Sequence, residues 1–150
     1  MVHPVSEPTA DDLDKEQLEQ LHAATLKASE ACLELKKLCA VILVPVGTVI
    51  SAFGDKSPGS SLFVAGFLVI FAFWVADSFS YYYQRKLRGA MIPIWHRRAA
   101  RCAEGYAFVP SSGAVGPLRA AFNASMAYYF ILGLLFGVAA WAYVAGLLNG

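Results

Sequence analysis

Ser61-Leu62-Phe63-Val64-Ala65-Gly66-Phe67-Leu68-Val69-Ile70-Phe71-Ala72-Phe73-Trp74-Val75-Ala76 is closed by Asp77 and sits inside an uncharged run that extends from Ser57. A helix needs about 20 apolar residues to cross a bilayer, with a range of roughly 17–25. This stretch meets that requirement. It also ends in Phe71, Phe73 and Trp74, the aromatic belt expected where a span meets the headgroups.

Working outward, two more runs lack charge, Leu38–Gly54 and Ala120–Gly150. The last is long enough to span. The first is shorter, but Lys36 and Lys37 precede it and can snorkel to the interface. The sequence therefore predicts an all-α integral membrane protein with three transmembrane helices, an N-terminal cytoplasmic helix and a helical basic cytoplasmic loop. The segments are 1–37 (cytoplasmic helix with a loose tail), 38–79 (transmembrane hairpin), 80–119 (basic loop) and 120–150 (third span).

Only 15 % of residues are charged and 57 % are hydrophobic, against a usual charged share of about 25 %. The charge that exists is segregated. Residues 1–37 hold eight acids and four bases, residues 80–125 hold seven bases and one acid, and the link Gly54–Ser60 holds Asp55 and Lys56. Lys and Arg counts of four, one and seven place the first and third segments in the cytoplasm by the positive-inside rule. The expected orientation is N-terminus inside and C-terminus outside. About 37 polar, acidic residues come first, which is not the pattern of a cleavable signal peptide. Cys32, Cys39 and Cys102 form no metal or redox motif. Asn123-Ala124-Ser125 matches a glycosylation acceptor but falls at the cytoplasmic mouth of a span and is discounted.

In the first segment, Thr9 is a good N-cap, with Asp11 and Asp12 in the first turn. Leu18, Leu21, Thr25, Ala28, Cys32, Leu35 and Cys39 recur at alternating three and four, a heptad seam. The seam either packs on the protomer's own cytoplasmic segment or bundles with copies of itself, as a gating and oligomer seam. The charges do not separate the two. Pro45 and Gly47 lie in the first span, where a kink is tolerated. Thr48 and Ser51 are its only polar residues. Together with Pro45 they are the candidate pore lining, unless their hydroxyls bond back to their own helix.

After the second span, Asp77, Tyr81, Arg85 and Arg88 share one helical face. An acid at the membrane edge is costly unless paired, and Arg85 or Arg88 of a neighbouring helix is the expected partner. Gly89 and Pro93 should break or bend that helix. A separate basic piece, residues 94–104 with Arg97 and Arg98, could then lie on anionic lipid. Asp77, Tyr81, Arg85, Arg88, Arg97 and Arg98 form the candidate signal-binding network, since Arg beside aromatics can hold phosphates. The other account of these bases is topology and lipid contact. In the third span, starting near Phe122, Gly133 and Gly137 form a GxxxG pair that permits close helix packing.

No nucleotide loop, metal motif or nucleophile elbow is present, and no cofactor or enzyme activity is implied. His96 beside Arg97 and Arg98 leaves a membrane-bound nuclease as a weak third reading. The spans hold no mid-membrane charge, which argues against a coupled transporter.

Phe73-Trp74-Val75-Ala76-Asp77 followed by Tyr82-Tyr83-Gln84-Arg85-Lys86-Leu87-Arg88 resembles the Phe-Trp-x-x-Asp-x-Tyr-Tyr…Glu-Arg-x-Phe-Arg segment of small bacterial membrane proteins related to SLATT effectors. Gln84 stands where that group often has Glu, and Leu87 replaces an aromatic. The layout of leading helix, hairpin of spans, basic helix and further membrane segment is similar too. The resemblance implies a pore that depolarises the bacterial membrane in anti-phage defence (abortive infection). It would answer a signal from a partner nucleotidyltransferase or sensor, and a DNA oligomer would be that signal if the likeness is to the Hailong-type transmembrane effector. Three helices cannot enclose a pore alone. The expected partners are therefore further copies of the chain, four or more, together with membrane lipids and a nucleotide or DNA-oligomer signal. The competing class is a non-conducting anchor or adaptor that recruits a soluble partner.

Overall fold

The computed structural model describes residues 7–52, 60–102 and 115–147, and all the regular structure among them is helical. Helix α1 spans Ala10–Ala52 and α2 spans Ser60–Arg101. A short α3, Pro117–Ala121, leads through a 3-10 turn at Ala124–Met126 into α4, Ala127–Val144. The outside turn expected at Asp55–Gly59 and most of the Gly/Pro/Ser loop at 105–117 lie outside the described residues.

Helix α1 begins where the sequence says it should. Thr9 and Asp12 form a reciprocal cap: Asp12 N–H donates to Thr9 Oγ1 at 3.2 Å, and Thr9 N–H donates to Asp12 Oδ2 at 3.0 Å. Two of the helix's orphan donors are thereby satisfied, and Asp12 is held below the usual carboxylate range by its bonds to Thr9. From there α1 runs unbroken through Pro45.

Helix α2 departs from expectation. It passes through Gly89 and Pro93 without interruption to Arg101, so residues 94–101 are not a separate piece lying on the headgroups. Pro93 is exposed while Ile94 beside it is 1 % exposed. The ring projects outward, and the opposite side of the helix is held against α1. At 1.5 Å per residue, Trp95 stands about 27 Å along α2 beyond Asp77.

The two long helices form an antiparallel hairpin. Lys15 and Arg98, Leu18 and Trp95, and His22 and Met91 line one groove between them, and further along Lys36 meets Asp77. The heptad seam of α1 faces α2 of its own chain. Leu18, Thr25 and Cys39 are buried, and Leu21, Ala28, Cys32 and Leu35 are half-buried. Of the two packings the heptad permits, the structure contains the intrachain one.

Beyond Lys36 and Asp77 the hairpin is apolar, and α4 joins it. Cys39, Ile70, Met126 and Tyr129 form a buried cluster flanked by Leu43, Phe73, Trp74 and Phe136. Two helical stretches, Leu62–Arg101 and Ala124–Val144, are long and apolar enough to cross a membrane. Only 6 % of the apolar window in the second of these is buried. The core helix of a water-soluble protein would be mostly covered, so this surface suits lipid. The outer part of the first expected span carries side chains outside the described residues, so α1 does not enter that pair.

Candidate functional site

Two polar clusters stand out, one at the foot of the polar hairpin and one at its tip.

At the foot, the fully buried Asp77 carboxylate is ion-paired with the Lys36 ammonium, whose side chain is 18 % exposed. The Lys36 ammonium also lies 5.8 Å from the centre of the Tyr129 ring, a cation–π distance. Tyr128 Oη donates to the Lys36 carbonyl at 3.1 Å. One lysine thus ties α1 to both α2 and α4. The sequence reading paired Asp77 with Arg85 or Arg88; the structure corrects this, because Lys36 of the same chain is the partner. The Tyr129 hydroxyl and the Cys32 thiol both lie close to the Asp77 carboxylate, although among the described residues neither Asp77 Oδ1 nor Tyr129 Oη makes a hydrogen bond of good geometry. Cys32 borders the same carboxylate, and burial together with Asp77 pushes its thiol up to about 12.

At the tip, two acids of α1 meet three arginines of α2. Arg98 grips Asp11 with both prongs, Nε to Oδ1 at 3.0 Å and Nη2 to Oδ2 at 2.9 Å. Arg97 Nη2 donates to Asp14 at 3.0 Å. Arg101 bridges Asp14 and Asp11. Asp14 is 8 % exposed, and Arg101 and then Arg97 hold its carboxyl below the usual range. Asp14 in turn raises Arg101. Fork-to-carboxylate geometry is directional, so the tip sets the register of the whole hairpin.

The remaining expected site residues are dispersed. Tyr81 borders the apolar cluster, Arg85 is half-buried with Nε unpartnered, and Arg88 is exposed. Asp77, Arg85 and Arg88 share a helix but not an ion pair. Arg97 and Arg98 belong to the tip. Among the pore-lining candidates, Pro45 and Thr48 are exposed, and Thr48 Oγ1 donates to the Pro45 carbonyl at 2.9 Å. The Ser51 side chain lies outside the described residues. Gly133 has no neighbour within 4 Å of where a Cβ would sit, and Gly137 has ordinary contact with Phe67 at 3.7 Å. Among the described residues the GxxxG pair therefore makes no close crossing. Among those residues the close approach is at Gly66, where a Cβ would run into the Phe136 ring.

Asn123 has a structural task. Its side chain accepts from Ser125 N–H at 2.7 Å and donates to the Ala120 carbonyl, turning the chain from α3 into the 3-10 turn. Trp74 Nε1 donates to the Ala121 carbonyl at 3.1 Å, fixing α3 beside the end of the apolar run. Among the described residues no group of three or more His, Cys, Asp or Glu side chains is placed to hold a metal ion.

Lys36, Asp11 and Asp14 were not among the expected site residues, although an acidic N-terminal region facing a basic loop was expected. Their signal was present: the acidic helix start and the basic helix end sit at comparable distances in sequence from Lys36 and Asp77. No protein-family model matches the chain, and no curated protein or solved structure matches it.

Proposed function

We propose that the chain is a membrane effector that assembles with copies of itself into a conducting path, gated through its cytoplasmic hairpin. In this reading α1, the first half of α2 and α4 are three spans in a bacterial inner membrane, N-terminus inside and C-terminus outside. The observation that carries the reading is continuity. The same two helices that run through the apolar region extend without a break to a charged tip, so a change at the tip reaches the membrane along rigid rods. The tip is built to be competed for. Three arginines held by two aspartates offer forks that a phosphate group fills as well as a carboxylate does. An anionic signal, a nucleotide or oligonucleotide from a partner enzyme, would exchange for Asp11 and Asp14 and free α1 from α2. Depolarisation in anti-phage defence is the role this device would serve, in keeping with the SLATT-like motif around Trp74 and Asp77.

One observation favours a second reading. The Thr48 hydroxyl is bonded to its own helix, which leaves no polar stripe in the first span among the described side chains. A non-conducting anchor that recruits a soluble partner through the hairpin needs no such stripe.

Native mass spectrometry from mild detergent separates the two. A single assembly of four or more copies, with ion flux in liposomes, supports the conducting reading. A monomer or dimer leaves no pore wall and moves the assignment to the anchor. In cells, reversal of Arg85 and Arg88 to Glu should alter activity while membrane insertion persists. Unchanged activity would remove this part of α2 from the mechanism.

A further inference from the structure

The polar hairpin carries exposed large apolar side chains on both of its long helices, Leu26, Leu33 and Tyr83 in a region that the proposed topology places in water and Phe79 at its membrane edge. On α1, Leu26 is 52 % and Leu33 is 55 % exposed, with exposed Glu30 between them. On α2, Phe79 is 67 % and Tyr83 is 61 % exposed, followed by exposed Lys86. Leu26 stands at the rim of the groove between α1 and α2, and Phe79 borders a hollow beside Pro117 and Ala121 of α3, yet each leaves more than half of its surface exposed, as Leu33 and Tyr83 do. Among the described residues, neither Glu30 nor Lys86 forms an ion pair within the chain.

Membrane insertion fixes every copy in one orientation and at one depth, so heights above the membrane edge can be compared between copies. Taking the Lys36–Asp77 pair as the zero level, 1.5 Å per residue puts Leu33 at about 4.5 Å, Phe79 at about 3 Å and Tyr83 at about 9 Å. The same rise puts Glu30 at about 9 Å and Lys86 at about 14 Å, within reach of a long side chain. Leu26, at about 15 Å, is level with the Lys86 stem. The α1 face is apolar with an acid, and the α2 face is apolar with a base at a matching height. Two α1 faces brought together would set Glu30 against Glu30, and two α2 faces would set Lys86 against Lys86.

We infer that the outer face of α1 in one copy docks on the outer face of α2 in the next, through Leu26, Glu30 and Leu33 against Phe79, Tyr83 and Lys86. This is a head-to-tail contact, which does not stop at a pair and builds a ring about an axis normal to the membrane when the rotation from copy to copy closes. The inference rests on the oligomeric reading above and names the surface that would build it.

The test is disulfide trapping in membranes, in a C102S background that removes the exposed native thiol. In one chain Leu33 and Tyr83 point away from each other. L33C and Y83C, each expressed alone, should give no linked species. Coexpressed, they should give a linked dimer, and the L33C/Y83C double variant should give a ladder. As a second arm, E30K and K86E should each lose the assembly seen by native mass spectrometry, and E30K/K86E should regain it. Self-linking of L33C alone, or an intact assembly with no linking and no charge-swap effect, would overturn the inference. A wild-type chain that is monomeric would instead overturn the oligomeric reading itself.

Discussion

Removing the Asp77 carboxylate while keeping Lys36 would strand an ammonium at a site with little water. Loss of one partner of a buried pair costs about 3–5 kcal/mol, whereas replacing both with apolar residues of similar volume is often close to neutral. D77A should therefore lower the melting temperature in detergent far more than K36M/D77L does, and a thermal shift series would show it. The same cluster shields Cys32. With its thiol pushed up to about 12 and half-covered, Cys32 should resist maleimide at neutral pH while the exposed Cys102 labels quickly. Peptide mass spectrometry after a short pulse would read the difference, and equal labelling would mean the hairpin opens in solution. That Asp77 needs a partner is legible in the sequence, because an acid beside a twenty-residue apolar stretch has no other way to remain. Which base supplies it is not, because the answer depends on the register of two helices whose contacting residues are far apart along the chain.

That register is an element-scale property, and the tip sets it. Asp14 ionises more readily in the fold than in an unfolded chain, because Arg101 and Arg97 hold its carboxyl below the ordinary value. Its contribution is therefore complete above the ordinary carboxylate pKa and is lost as pH falls through the lowered one. Protection from hydrogen exchange across residues 10–25, taken relative to an unfolded chain at the same pH, should be high at neutral pH and fall below about pH 4, the ordinary carboxylate range. R98E should produce the same opening at neutral pH, and D11R/R98E should reverse it in part. The start of α1 was readable from Thr9 and Asp12 because a cap is a local pattern. The persistence of α2 through Pro93 was not, because a proline signals a break unless its ring projects outward and the helix is clamped on its other side, as Ile94 and the arginines do here. A comparable non-local fact sets the α2–α4 contact. G66L should loosen α4 by about 1–3 kcal/mol through overpacking on Phe136, while G133A should be silent. Cysteine accessibility along α4 would distinguish the two.

The described residues divide into a half rich in charge and held by ion pairs and an apolar half held by aromatic and aliphatic contact, with two helical stretches long and apolar enough to cross a membrane. Composition alone announced that division. The helical class was equally visible. That the two halves share their helices was legible as well, since no breaker interrupts α1 before Pro45 or α2 between Ser60 and Gly89; what the sequence did not show is that α2 persists past Gly89 and Pro93 to Arg101. Because α2 is one rod, the Lys36–Asp77 pair divides it into unequal arms. Residues 77 to 101 reach about 36 Å on the tip side, and residues 62 to 77 reach about 22 Å on the apolar side, at 1.5 Å per residue. A rod pivoting on that fulcrum trades travel for force. On the gated reading proposed above, a displacement of several ångströms at the arginines would become a smaller and stronger one in the apolar half, and modest work done by a soluble ligand would be delivered where the resistance is greatest.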